Sequence, residues 1–358
     1  MRFYDITITD PTNPSNQQIY TSWFNGQNDP GALNVIFDFP VVAYSTTRGA
    51  AMMEISGIPL QSISFATNLN NKNISISAGF KPGLPLATQV SNYQEGPIVV
   101  GRILQAYGNW IGNNMTLNMV ILPGTATAST QTPTTTAQQP AAAAATAPAP
   151  LGSPQQPVDF NFIMPLGVNM ETAIKNTLRT ALPNFGPPQI KIKSIVAPGP
   201  RSFVARSITE FAQKIKQLSQ QIEGESYSGV EMTISNGNTI IVYDGSTVIK
   251  QVDIDFADLI GQPTWIEPFK IQFKCPLRAD LQVGYNVTLP KGYYGIQLSD
   301  PTRLSPNPYR FQSAQQGTFR IIELRHVGNF RQPDGNSWAT IVTCAQIRFG
   351  GGVQGANQ

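Results

Sequence analysis

Histidine, cysteine and charge are scarce in this sequence. Its 358 residues include one histidine, His326, and two cysteines, Cys275 and Cys344, and only 13% of them are charged. Protein metal centres built from histidine and cysteine take three or four such ligands, so three scattered residues nearly exclude one. Two cysteines cannot form a disulfide framework, and both lie in strand-like runs, where a thiol behaves as a small buried apolar residue.

The local signatures of the common catalytic sites are absent from the sequence. There is no phosphate-binding P-loop, no Gly-x-Ser-x-Gly elbow, no His-Glu-x-x-His and no Cys-x-x-Cys. The 21 acidic residues include no distinctive pair of the kind that glycoside hydrolysis needs. Asp253, Asp255 and Asp258 could suggest calcium ligands, but the stretch lacks the glycine and the terminal glutamate of an EF-hand. We therefore expect a non-enzymatic protein with no catalytic residue, no metal and no cofactor.

The charge balance and the apolar runs limit the partners of the chain. A net charge of +3 without any Lys/Arg run argues against a nucleic-acid footprint. The first ten residues alternate like a strand and contain no signal-peptide core, and no stretch approaches 18 apolar residues, so we expect no membrane anchor. Thirty glycines and 29 prolines indicate many turns. Low charge together with many turns suits a chain whose surface is largely covered by partner proteins.

Residues 1–122 are predicted to form an N-terminal β-barrel or sandwich. Strand-like runs recur about every ten residues and are separated by Asn/Gly turns, which is the pattern of such folds. The Asn-rich stretch from Leu69 to Asn73 is the clearest turn. The runs are residues 33–44, 52–60, 62–80, 97–110 and 115–123.

Residues 123–157 read as a linker. This stretch of Ala, Thr, Pro and Gln contains no charged and no aromatic residue, so it cannot bury a core of its own. Stretched towards polyproline geometry it would reach on the order of 100 Å. We expect it to lie extended on a neighbouring protomer or partner in an assembly and to be cut by proteases in the isolated protein.

Residues 158–262 are predicted to form a mixed α+β region. A first helix should begin after Asn169 as N-cap and stop at Pro183, and a second should open with the capping box Ser207-x-x-Glu210. Asn236-Gly237 predicts a hairpin. The apolar stripes of the two helices are Met170, Ala173, Ile174, Leu178, Ala181 and Leu182, and Ile208, Phe211, Ile215, Leu218 and Ile222.

Residues 263–349 are predicted to form a second β-barrel-like domain, followed by a frayed Gly-rich tail at 350–358. The fold class is therefore mainly β with a smaller α+β insert. The last strands, residues 319–327 and 338–347, flank a turn centred near Gln332 and Pro333 and form a long hairpin.

The predicted register of this hairpin bears on catalysis. It places His326 opposite about Ala339 and Cys344 opposite about Ile321. His326 and Cys344 would then be roughly 17 Å apart and on opposite faces, too far for a nucleophile and its base. Cys275 stays formally open as a partner, without a local signature. We interpret His326 as a structural residue that hydrogen-bonds the turn backbone or Asp334, and Trp338 as a packed indole whose N–H finds an acceptor.

Three stretches together resemble a known family. Residues 57–87 with 106–124 resemble the opening domain of the baseplate hub proteins of contractile-tailed bacteriophages. Residues 275–290 look like the hub segment in which Arg-x-Asp precedes Val-Gly and a strand ending in Leu-Pro. Residues 317–347 are similar to the closing hairpin of the family, where a histidine, a glycine and a tryptophan recur; His326, Gly328 and Trp338 match these positions. Asn329 departs from the Asp that the family often has there.

The resemblance implies a structural role. It implies two tail-tube-like β-barrels flanking the mixed region, and a homotrimer that joins the tail tube protein to the spike protein within the baseplate, alongside other baseplate proteins. The phage genome would pass through the ring without sequence-specific binding. The location implied is the virion, after assembly in the host cytoplasm. Three alternatives remain open: another tail or injection-machine part, a β-rich carbohydrate-binding or adhesion module, and a hydrolase.

Overall fold

The fold is mainly β with a smaller α+β insert, as the sequence predicts. The computed structural model describes residues 1–13, 15–46, 50–81, 95–123, 159–182, 185–224, 226–235, 239–290 and 317–347. The predicted linker beyond Pro123, the Asn236-Gly237 turn and the Gly-rich tail lie outside these residues. No helix among the described residues is long and apolar enough to cross a membrane.

The N-terminal part is built on seven antiparallel strands. Its elements are β1 (Arg2–Thr9), β2 (Gln17–Thr21), β3 (Trp23–Phe24), β4 (Gln27–Asn28), β5 (Asn34–Val42), β6 (Ala51–Ser56), α1 (Leu60–Ser64), β7 (Asn73–Phe80), β8 (Gly96–Ile111) and β9 (Asn114–Pro123). The seven strands follow the order β5-β6-β9-β8-β7-β1-β2, and β3 and β4 form a separate small pair. Alternate side chains of these strands, except β2, enter one core, for example Ile6 and Ile8 of β1.

The predicted turn at residues 69–73 is present, but a helical segment precedes it. Residues 60–64 form α1 and residues 66–69 form a 3-10 turn. Ala66 and Leu69 are three residues apart and both buried, which is a helical spacing rather than a strand alternation. Asn71 adopts a φ of 69°, which asparagine tolerates better than most residues. The side-chain oxygen of Asn70 accepts a 2.6 Å hydrogen bond from the backbone N–H of Ala106 and ties the turn to β8.

The insert contains both predicted helices. Its elements are β10 (Phe160–Met164), α2 (Met170–Ala181), β11 (Gln189–Lys191), β12 (Arg201–Ala205), α3 (Ile208–Glu223), β13 (Glu231–Ile234) and β14 (Ile240–Tyr243). Asn169 caps α2 by accepting a 3.1 Å bond from the N–H of Glu171. Ser207 caps α3 by accepting a 3.1 Å bond from the N–H of Glu210. Both predicted caps are confirmed, and the apolar stripes of both helices pack into a core of their own.

The C-terminal strands form the second half of the sheet. They are β15 (Gln251–Asp253), β16 (Thr264–Glu267), β17 (Lys270–Pro276), β18 (Asn286–Leu289), β19 (Gly317–Asn329) and β20 (Trp338–Gln346). Their order is β16-β17-β20-β19, with β18 pairing the first part of β19 and β15 pairing β18. The predicted closing hairpin is confirmed by the antiparallel pairing of β19 with β20.

One strand joins the two halves. The second part of β19, residues 323–329, pairs with residues 36–42 of β5, so N-terminal and C-terminal strands share one sheet of 13 strands. Two apolar cores lie along it, one among the N-terminal strands and one among the C-terminal strands. Leu277 and Ala279, which follow β17, and Trp338 of β20 come from the C-terminal region but belong to the N-terminal core. The predicted domain boundaries after residues 122, 157 and 262 stay a prediction.

Candidate functional site

The closing hairpin brings His326, Gly328 and Trp338 close together. His326 lies opposite Thr340 and Gly328 lies opposite Trp338. The predicted partner of His326, Ala339, is therefore wrong by one residue, whereas Cys344 lies opposite Ile321 as predicted. A bulge between Ile321 and Glu323 accounts for the change of register along the hairpin.

The one-residue shift overturns the expectation that His326 and Cys344 face opposite sides. Thr340 lies opposite His326, and Cys344 is four residues further along the same strand, so the two side chains share a face. Four residues of strand still separate them by roughly 13 Å at about 3.3 Å per residue. A nucleophile and its base must lie about 3 Å apart, so the separation along the strand still argues against a Cys–His pair in this hairpin, although the two side chains share a face.

Cys275 is the other cysteine near His326. It lies opposite Thr340 on β17, so Thr340 stands between Cys275 and His326 in one row across three strands. Strands are about 4.8 Å apart, which places the two residues roughly 10 Å from each other. Burial raises the pKa of the Cys275 thiol to about 12 and also raises that of Cys344. Both are protonated thiols in an apolar setting, which is the state of an inert structural cysteine.

His326 is completely buried and makes one hydrogen bond. Its Nδ1 lies 3.0 Å from the Oγ1 of Thr340, and that oxygen also accepts a 3.1 Å bond from the backbone N–H of Arg278. The Nε2 atom has no partner in the described part of the chain. Burial lowers the pKa of His326 to about 4, so the ring is neutral at pH 7. The prediction that His326 bonds to the turn backbone or to Asp334 is wrong. β19 continues to Asn329, so His326 lies within the strand, and its ring points towards Thr340 in the core.

Gly328 leaves room for two aromatic rings. On one side it pairs with Phe37 of β5 and on the other with Trp338 of β20. The ring centroids of Phe37 and Trp338 are 5.1 Å apart at an interplanar angle of 68°, an edge-to-face contact made across the glycine. A Cβ at position 328 would overlap Cε1 and Cζ of Phe37. A glycine is therefore needed here for packing space, and no left-handed backbone is involved.

Trp338 anchors the hairpin in the N-terminal core. Its side chain is fully buried, and its Nε1–H donates a 2.9 Å hydrogen bond to the backbone carbonyl of Gly79 on β7. Phe330 packs edge-on against the same indole with centroids 5.9 Å apart. The prediction that the indole N–H finds an acceptor is confirmed. The indole is buried on all sides, whereas the sequence suggested that only one of its faces would be packed.

Arg2 holds the loop between β19 and β20 and was missed by sequence reasoning. Its Nη1 donates to the carbonyls of Asn329, at 2.9 Å, and of Phe330 and Gln332. Its Nη2 donates to the carbonyl of Asp334 at 2.7 Å and to the Oγ of Ser337. One guanidinium thus binds five acceptors that approach it from a single loop. Nothing near residue 2 in the sequence marks it as a partner of residues more than 300 positions away.

Arg278 and Asp280 are the Arg-x-Asp pair noted in the sequence. Nε and Nη2 of Arg278 bind the two carboxylate oxygens of Asp280 at 2.9 and 2.8 Å, and Nη1 binds Asp258 at 2.9 Å. The pKa of Arg278 is raised: burial acts to lower it, but the bonds and charge of Asp280 together with the charge of Asp258 outweigh this effect. Asp258, considered above as a calcium ligand, is thus engaged by an arginine. Among the described residues, no group of three His, Cys, Asp or Glu is placed to hold a metal ion.

The sequence matches no family model and no curated protein. Solved structures with a similar chain path exist. One is the Escherichia coli c3393 protein, a component of the type VI secretion system described as structurally similar to the T4 bacteriophage tail proteins gp27 and gp5 (10% identity, 91% of this chain and 76% of that one, TM-score 0.46). Another is the 43 kDa tail protein of prophage MuSo2 from Shewanella oneidensis (7% identity, 97% of each chain, TM-score 0.47).

A third is the tail protein of Neisseria meningitidis MC58 (9% identity, 96% of each chain, TM-score 0.44). Identities of 10% and less with TM-scores of 0.47 and less carry no argument about function.

Proposed function

We propose that this chain is a structural component of a phage tail, a homotrimeric baseplate hub that joins the tail tube to the central spike. The observation that carries the proposal is the double pairing of β19. Its first part pairs with β18 and its second part with β5, so one strand fixes the orientation of the two β regions. A protomer that supplies two of the six positions of a pseudo-hexameric ring needs such a fixed orientation.

The roles that we propose for His326, Gly328 and Trp338 are structural. Gly328 admits the Phe37–Trp338 contact, Trp338 reaches the carbonyl of Gly79, and His326 bonds to Thr340 in the buried row. The first two contacts join N-terminal to C-terminal strands, and His326 lies on the part of β19 that pairs with β5. Both cysteines are buried and separated from the histidine, which favours a protein that acts by shape rather than by chemistry.

The partners in this proposal are the tail tube protein, the spike protein and other baseplate proteins. The support is the resemblance of the sequence to the hub family together with a charged fraction of only 13%, which suits a surface covered by neighbours. The genome would pass through the ring without sequence-specific contacts, since the net charge of +3 is small. The chain would be assembled in the host cytoplasm and remain in the virion.

Electron microscopy of the purified full-length chain, combined with its mass in solution by light scattering, tests the proposal. We expect rings with the mass of three copies. A protein that stays monomeric at high concentration and binds glycans would contradict the hub function and favour a carbohydrate-binding module. Lysis of peptidoglycan by the purified chain that is lost on substitution of one carboxylate would contradict the non-enzymatic part.

A further inference from the structure

A groove lies beside β2, the strand at one end of the order of the 13-stranded sheet. It has a volume of about 560 Å³ and lies between β2 and the helical segment at residues 60–69. Sites for small ligands have roughly 300 to 1,000 Å³, so the groove has the size of a binding site. The core residues Leu69 and Leu117 form an apolar floor, and Ile19 and Phe65, whose side chains are more than half exposed, line the groove above it.

The charges at this groove cancel. Among the described residues that line it, only Lys72 is charged. The Nζ atom of Lys72 lies 3.8 Å from a carboxylate oxygen of Asp10, so a neighbouring group of opposite sign already offsets it. A charged ligand would lose water over the apolar floor without gaining a free partner, which is costly. The groove therefore suits a neutral ligand.

Neutral polar side chains surround the apolar floor. Gln18, Gln61, Ser62 and Asn68 line the groove and are exposed. Within the described part of the chain, these four side chains make no hydrogen bond to the protein. Carboxamides and hydroxyls offer both donors and acceptors, and the hydroxyls of a sugar do the same. Four such groups around one concave site can bind several hydroxyls of a single sugar chain.

The backbone of β2 presents an open amide at Ile19. Residues of an antiparallel pair that exchange backbone hydrogen bonds recur at every second position. The N–H of Asp10 bonds to the carbonyl of Asn16. The N–H of Ser22 bonds to the carbonyl of Tyr4, so the even-numbered residues of β2 are the ones bonded to β1. The N–H and the carbonyl of Ile19 therefore point away from β1, towards the open edge, where they can pair with a secondary amide.

We propose that this groove binds a neutral oligosaccharide that carries N-acetyl groups. The acetamido group of such a sugar is a secondary amide, so it pairs with the backbone of Ile19 while its methyl group packs against the apolar floor. The apolar face of a sugar ring stacks on Phe65, and the sugar hydroxyls bond to the four neutral polar side chains. This binding site goes beyond the proposed function and does not depend on it.

The polar side chains favour a sugar over an added peptide strand. A peptide strand would pair its backbone with β2 and would have no need of amide side chains on the far side of the groove. That far side is the helical segment at residues 60–69, whose backbone groups bond within the segment, for example the N–H of Asn68 to the carbonyl of Phe65. Only its side chains are available, and they match hydroxyl groups.

Calorimetric titration of the purified full-length chain with tetra-N-acetylchitotetraose tests the proposal. Cellotetraose is the matched control ligand, because it has the same linkage but carries a hydroxyl in place of each acetamido group. We expect the N-acetylated sugar to bind and cellotetraose to bind at least about tenfold more weakly. Equal affinity for the two sugars would overturn the proposal, and so would a lack of binding of the N-acetylated sugar at millimolar concentration.

Substitutions in the groove test the place of binding. Phe65→Ala should raise the Kd by about tenfold, because it removes the stacking ring. Phe24→Ala is the matched control, at an exposed phenylalanine of β3 outside the groove, and should leave the Kd unchanged. An unchanged Kd in Phe65→Ala would overturn the proposal.

A second pair of variants tests the backbone contact. Ile19→Pro removes the outward N–H, and an edge strand tolerates a proline whose N–H would face away from the sheet. Ile19→Ala removes the side chain and keeps the N–H, so the proline variant should bind the N-acetylated sugar more weakly than the alanine variant does. Equal binding by the two variants would contradict the pairing of the acetamido group with Ile19 and overturn the proposal.

Three further probes identify the kind of ligand. An uncharged peptide of alternating threonine and valine that displaces the sugar and binds more tightly would show an added strand and overturn the proposal. Sedimentation with insoluble peptidoglycan, and titration with a soluble surface polysaccharide that contains N-acetyl sugars, tell whether the cell wall or the cell surface supplies the sugar. Binding to neither source would also overturn the proposal.

The mass of the chain in solution separates this inference from the proposed function. If rings form and the N-acetylated sugar does not bind, the inference is wrong and the hub function stands. If the sugar binds to a chain that stays monomeric at high concentration, the inference stands and the hub function is wrong. Rings that bind the sugar, with the loss of binding in Phe65→Ala, would support both.

Discussion

The ring of Phe37 occupies the space that a side chain at Gly328 would need. We expect Gly328→Ala to lower the free energy of unfolding by about 2 kcal/mol, because the added methyl must displace a buried ring on a neighbouring strand. Denaturant unfolding followed by tryptophan fluorescence measures the change. Gly335→Ala is the matched control in the same hairpin, since a Cβ there meets no atom within 4 Å. Equal effects of the two substitutions would contradict the packing role of Gly328.

Trp338 ties the last strand to the carbonyl of Gly79. We expect Trp338→Ala to cost about 3 kcal/mol or more, the usual range for emptying the site of a buried large aromatic side chain, and to reduce ring assembly. Trp338→Phe keeps most of the apolar volume but removes the donor, and should cost about 1 kcal/mol or more by leaving that carbonyl unpaired. Trp110→Ala, at an exposed tryptophan, should change the free energy of unfolding little. Thermal and denaturant unfolding of the three variants would show whether the order holds.

His326 should make the stability depend on pH in a narrow window. Burial lowers its pKa from 6.5 to about 4, so the unfolded chain binds more protons than the folded chain between these values. The free energy of unfolding is therefore highest above pH 6.5 and falls as the pH drops towards 4. The loss from this residue should reach about 2 kcal/mol between pH 7.5 and pH 5, at 1.36 kcal/mol per pKa unit.

Because the chain has no other histidine, His326→Asn isolates this effect. At pH 7.5 the variant should be less stable by about 1 kcal/mol, the scale of one lost hydrogen bond. The decline between pH 7.5 and pH 5 should be largely absent from it. A variant that keeps the full decline would show that other groups cause it, and a fully stable variant that loses a measurable reaction would contradict the structural role.

Arg2 is the residue whose loss should free the loop between β19 and β20. We expect Arg2→Ala to lower the free energy of unfolding by about 2 kcal/mol, since several hydrogen bonds from a charged donor are lost at once. Arg2→Lys should restore little, because an ammonium cannot reproduce the fork of the guanidinium. Limited proteolysis should then cut within residues 329–337. Arg201→Ala, at an exposed arginine of β12, is the control, and cutting at the same rate in both variants would contradict the role of Arg2.

Local patterns in the sequence were sufficient for several of the elements, although not for the helical segment at residues 60–69. The caps at Asn169 and Ser207, the apolar stripes of α2 and α3 and the closing hairpin could all be predicted, because each depends on residues within a few positions of one another. The register of the hairpin was predicted to within one residue at His326. The error came from a bulge at residues 321–323, which no turn signal marks.

The junction between the two β regions was decided only by the tertiary structure. The sequence by itself determined a mainly β chain with a helical insert, and it singled out His326, Gly328 and Trp338. It could not determine that β19 pairs with β5, that Arg2 binds the loop at residues 329–337, or that His326 bonds to Thr340. These contacts join residues up to about 330 positions apart in the sequence. They depend on which strands become neighbours in the sheet, and local propensity and residue spacing do not encode that choice.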